Sequence, residues 1–73
     1  MKLAEFIEDI ERMPYATPAW VNELGTSSKG NRKLDIQLFT YEPSNVGDTI
    51  EYESGFYLVV DSEENVLYWV QTA

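Results

Sequence analysis

Leu3, Phe6, Ile7, Ile10 and Met13 recur at the three- and four-residue spacing of one helical stripe, and Glu5, Glu8, Asp9, Glu11 and Arg12 fill the other positions. The pattern predicts an amphipathic helix over about residues 2–13. Glu8 and Arg12 stand in the favourable i, i+4 order, and Pro14 stops the helix because it lacks a donor and crowds the preceding turn. Further on, Leu34, Ile36, Leu38 and Thr40 alternate with Asp35, Gln37, Phe39 and Tyr41, the period-two mark of a half-buried strand over about residues 33–41. Between them, Thr17-Pro18 and Gly25 frame a segment that reads either as a short helix capped by Thr17 or as a strand containing Trp20 and Val21. The pattern leaves residues 18–24 open between the two.

Residues 49–70 hold the densest β-branched and aromatic runs, and they read as a three-stranded meander. Ser54-Gly55 supplies its first turn and residues 62–65 its second. In that register Ile50, Tyr52, Tyr57, Val59, Tyr68 and Val70 share an uncharged face, which is the expected core. Thr49, Glu51, Glu53, Phe56, Leu58, Val60, Leu67 and Trp69 share the other, an apolar cluster edged by carboxylates. Such a face needs a cover or a partner. The expected fold is therefore α+β. An N-terminal amphipathic helix, with a second short one if residues 18–24 are helical, packs on a four-stranded antiparallel β-sheet built from residues 33–71.

Length and composition narrow the picture. At 73 residues the chain is expected to form one small acidic domain that buries only about 60–65% of its unfolded surface, and it contains no cysteine or histidine to staple it. Dimerisation is one way to extend so small a core. The first residues mix acids with apolar side chains, unlike a signal peptide, and no run approaches the roughly 20 apolar residues needed to span a bilayer. A cytoplasmic protein without membrane attachment is expected. The net charge of −8 is unevenly placed: residues 1–33 carry five acids and five bases, whereas residues 34–73 carry eight acids and no base. This disfavours direct contact with nucleic acid and favours a basic protein surface, including that of a nucleic-acid-binding protein.

Candidate chemistry changes little. The glycine spacing Gly25-x-x-x-x-Gly30 is that of a phosphate loop, but Asn31-Arg32 follows where lysine and a hydroxyl are required. Asp61-Ser62-Glu63-Glu64-Asn65 clusters carboxylates without the alternation and mid-loop glycine of a calcium loop, and reads as a polar hairpin turn. Glu51 and Glu53 could divide acid and base roles only in environments that split their pKa values. No catalytic residue, metal or cofactor is expected.

Leu38-Phe39-Thr40-Tyr41-Glu42, Gly47-Asp48-Thr49-Ile50-Glu51-Tyr52, residues 57–60 and Tyr68-Trp69 together resemble the opening two-thirds of an SH3 domain, over about half of the chain. The resemblance implies a small barrel with Tyr41 and Trp69 near a proline-peptide groove. It is partial, since the Pro-Ser-Asn-Tyr motif of the closing strand is missing and an N-terminal helix is added, and it does not amount to membership of that family.

The expected function is that of a small acidic protein-binding module that occupies a partner's surface, as phage or mobile-element inhibitors and immunity proteins do. A DNA-mimic inhibitor is the first alternative and a structural subunit of a larger assembly the second. The expected contact residues are Phe56, Leu58 and Trp69 at the centre, Glu51 and Glu53 at the rim, and Asp61, Glu63 and Glu64 in the loop beyond.

Overall fold

The computed structural model describes residues 1–44, 47 and 49–72. Helix α1 (Leu3–Glu11) is followed by strands β1 (Trp20–Thr26), β2 (Arg32–Pro43), β3 (Thr49–Val60) and β4 (Val66–Gln71). The strands form one antiparallel sheet in the order β1-β2-β3-β4, and α1 packs on one face of it. The α+β class and the four-stranded sheet agree with the sequence reading, but the sheet is assembled from different strands.

Residues 54–55 form no turn. β3 runs unbroken through Ser54 and Gly55 and pairs with β2 along its full length, from Pro43 opposite Thr49 to Arg32 opposite Val60. A turn at that point would have left the far half of β2 without a partner; the continuous strand satisfies it. The missing strand comes from the N-terminal half, where Trp20 pairs with Gln37 and Val21 with Ile36. Residues 20–24 are thus strand, and the Thr17 hydroxyl accepts from the Phe39 amide at 3.0 Å instead of capping a helix. Of the connection expected over residues 42–48, Asn45, Val46 and Asp48 lie outside the described residues.

Continuity through Gly55 reverses the expected faces. On an unbroken strand Ile50, Tyr52, Phe56, Leu58 and Val60 share one side, and the β2 register sets Leu34 opposite Leu58 and Ile36 opposite Phe56, with Leu38 on the same side opposite Ser54. This is the side that α1 covers with Leu3, Phe6 and Ile10, and Leu34, Ile36, Leu38, Leu58 and Val60 are essentially fully buried. Burying each such side chain contributes about 1.5–3 kcal/mol. The side expected to be core carries Tyr57, Val59, Tyr68 and Val70 and, among the described residues, has no helix over it. The β3–β4 register agrees with the reading for Tyr57–Val70, Leu58–Trp69 and Val59–Tyr68. It then shifts so that Val60 meets Val66 instead of Leu67. The sheet stays open between β1 and β4, so the barrel implied by the SH3 resemblance does not form.

α1 lies along the sheet because both of its ends are tied down. The Leu3 amide donates to the Glu64 carbonyl and the Val66 amide to the Met1 carbonyl, each at 2.8 Å, so the helix starts at the β3–β4 turn. Beyond its last turn, residues 15–17 run along the β2 edge: the Thr17 amide donates to the Phe39 carbonyl at 2.8 Å and the Tyr41 amide to the Tyr15 carbonyl at 3.2 Å. Phe6→Ala and Ile10→Ala should each cost about 2–5 kcal/mol in urea denaturation, since each leaves a cavity under the helix. A cost below about 1 kcal/mol would mean that the helix does not seal this face.

Candidate functional site

The expected contact residues do not form one patch. Phe56 and Leu58 lie beneath α1, Leu58 with none of its surface exposed, and so cannot present themselves to a partner. Trp69 closes the edge of the same core, with its ring centroid 5.5 Å from that of Phe6 and 6.2 Å from that of Phe56. About half of it (51%) stays in solvent. Glu51 and Glu53 are exposed on the opposite face, set by register beside Tyr41 and Phe39. Asp61, Glu63 and Glu64 sit past the other end of β3, roughly 25 Å away at about 3.3 Å per strand residue.

The loop acids have structural partners. Asp61 accepts from the Glu63 and Asn65 amides, both at 2.9 Å, and from the Asn65 side chain at 3.1 Å. The bonds from Asn65, foremost the backbone one, hold the Asp61 carboxyl below the usual aspartate range. Glu64 adopts φ 67° and pairs with Arg32, which also pairs with Glu23. These hydrogen-bonded pairings, led by that with Glu23, raise the Arg32 pKa above its usual value. The Glu63 carbonyl accepts from the Lys2 ammonium at 2.8 Å. This end of the sheet, where the helix starts, thus uses its charges to fasten α1, β1 and the turn together.

The far end of the β2–β3 hairpin differs. Residues 39–43 and 49–53 project past the end of α1. Phe39, Tyr41, Glu51 and Glu53 lie on the open face, and Thr40, Glu42, Ile50 and Tyr52 on the helix-side face. Among the described residues, residues 15–17 flank the β2 edge here, and no strand pairs with the outer edge of residues 49–54. Residues 38–54 contain no base. The open face continues toward β1 and β4 through Trp20, which is 69% exposed, and through Tyr57 and Tyr68, whose rings meet edge-on at 6.3 Å.

Where the helix ends, a step down to the sheet leaves a cleft of about 380 Å³ lined by Met13, Pro14, Tyr15, Thr40, Tyr41, Glu42 and Tyr52. Tyr15 stands at φ 62°, a region that bulky side chains seldom enter. The sequence reading gave Tyr15 no role and assigned Tyr52 to the core. The available signal was the length of strand left over once a three-turn helix has been laid on it. Among the described residues no three carboxylates converge to hold a metal ion.

No protein-family model, curated protein or solved structure matches this chain.

The Asp61 contribution carries a sign that can be checked. Its pKa is lower in the folded state, so its stabilisation is complete above the ordinary aspartate value of about 3.9 and disappears as pH falls through the native value. Asp61→Asn should therefore lower the melting temperature most near neutral pH. The gap to wild type should close below about pH 4; a gap of constant size across the acid range would show that the ionised carboxylate is not what orders the turn.

Proposed function

We propose that the protein is an acidic binding module that uses the projecting end of its β2–β3 hairpin to occupy a basic surface on a partner protein. One observation carries the reading: the hairpin outruns its helix, and the surplus presents Tyr41, Glu51 and Glu53 on one face and Ile50, Tyr52 and Glu42 on the other face of a two-stranded arm without a base. Aromatic groups with carboxylates beside them, as Tyr41 has Glu51, have the composition of an interface centre with a charged rim. The chain's own bases support the choice of end. Arg32 and Lys2 are engaged at the helix-start end, and Arg12 pairs with Glu8 at 2.6 Å.

This replaces the patch centred on Phe56, Leu58 and Trp69 while keeping Glu51 and Glu53 from the sequence reading. The DNA-mimic alternative draws less support, because Glu64 is paired with Arg32 and Asp61 is spent on its own turn. No catalytic role is proposed.

Pull-down with the tagged protein at low and physiological salt, followed by mass spectrometry, should recover a basic partner whose capture weakens with salt. With that partner in hand, Glu51→Lys combined with Glu53→Lys should slow association about tenfold or more and leave the melting temperature close to wild type. An association rate indifferent both to salt and to this charge reversal would remove the hairpin end from the interface.

A further inference from the structure

The cleft at the end of α1 has the chemistry of a receptor for an organic cation. Three tyrosines line it, with the aliphatic surfaces of Met13 and Pro14, the Thr40 side and one acid, Glu42. Tyrosine rings present negative faces that attract guanidinium and alkylammonium groups, and a neighbouring carboxylate adds a charge of the required sign. A purely apolar ligand would gain nothing from Glu42, and an anion would meet it unfavourably. The cleft lies at the small end of the roughly 300–1,000 Å³ range of ligand sites, suited to a single side chain or small ligand.

Among the described residues, none that lines the cleft is a base. Arg12, next in sequence to Met13, is turned to Glu8 at 2.6 Å and Asp9 at 3.8 Å, and residues 34–73 contain no base. The backbone supplies a second, independent observation. Glycine or asparagine would take φ 62° after the helix with less strain, whereas a tyrosine there is costly, and Tyr15 is one of the residues that line the cleft. The conformation is held by the hydrogen bond from the Tyr41 amide to the Tyr15 carbonyl at 3.2 Å and by the Ala16 bridge to Thr40, which also fix where Tyr15 stands relative to β2.

We infer that this cleft binds the guanidinium group of an arginine side chain, with Tyr15 and Tyr52 as its aromatic walls and Glu42 as its counter-charge. The inference deepens the proposed function and takes from it the source of the arginine, a basic partner surface. Guanidinium is favoured over the lysine ammonium because it is planar, weakly hydrated and stacks on aromatic faces.

The cleft can be tested without the partner. N-acetyl-arginine amide, titrated into the isotope-labelled protein, should shift the ring signals of Tyr15 and Tyr52 saturably, with a dissociation constant on the order of millimolar. N-acetyl-citrulline amide, of the same shape but neutral, should leave those signals in place. Tyr15→Leu and Tyr52→Leu retain bulk and should each weaken the arginine amide by about two- to fivefold, as should Glu42→Gln, with the amide spectrum otherwise that of the folded protein. Equal shifts with arginine and citrulline amides, no saturable shift with either, or undiminished binding in both leucine variants would each overturn the assignment. The two proposals fail separately. A partner sensitive to Glu51 and Glu53 reversal alongside a cleft that ignores arginine amide refutes only the cleft, and the converse refutes only the hairpin end as the docking surface.

Discussion

The structure depends on a mismatch of lengths. A nine-residue helix at about 1.5 Å per residue spans roughly 14 Å, whereas a 12-residue strand at about 3.3 Å per residue spans roughly 40 Å. α1 can therefore seal only part of the β2–β3 hairpin, and its anchorage decides which part. Its first amide, that of Leu3, donates to the β3–β4 turn and the Met1 carbonyl accepts from Val66, so the covered stretch is the one holding Leu34, Ile36, Leu38, Phe56, Leu58 and Val60. The rest of the hairpin extends past it, in a molecule 50 Å long and 18 Å across. With no second helix over them among the described residues, Tyr52 and Ile50 remain partly in solvent even though they stand on the same face as the core.

Much of this was legible where periodicity is unambiguous. The α1 stripe and the alternation of residues 33–41 are long, regular patterns, and the structure realises them as helix and strand with Leu3, Phe6, Ile10, Leu34, Ile36 and Leu38 inward. The face of β3 was misread because Ser54-Gly55 has the chemistry of a turn and a strand-interior glycine has none to set against it. Side-chain direction alternates along a strand, so a turn placed there moved Ile50 and Tyr52 out of phase with Phe56, Leu58 and Val60. The choice was open to a global test: three aliphatics on one side of β2 require a matching set opposite, and only the unbroken β3 provides it. Residues 18–24 were ambiguous for a similar reason. Thr17-Pro18 and Gly25 are genuine helix punctuation, yet the open edge of β2 offers that segment a ladder, and tertiary pairing overrides local preference.

Charge follows the same division of the molecule. At the anchored end, charged groups have partners: Glu23 and Glu64 pair with Arg32, Asp61 accepts from the amides of its own turn, and Lys2 donates to the Glu63 backbone carbonyl. Such contacts at exposed sites add little individually, but here each joins segments distant in sequence and together they fix where the helix begins. At the projecting end Glu42, Glu51 and Glu53 have no base nearby in sequence, and residues 38–54 supply none. Mutual repulsion among them costs stability, and their exposure in high dielectric keeps that cost small. An edge strand bearing glutamates also resists pairing with a second copy of itself, which would align like charges. The carboxylates that discourage self-association at this edge are the same groups that would favour a basic surface. The hairpin end is thus guarded against its own kind while remaining open to a partner of opposite charge.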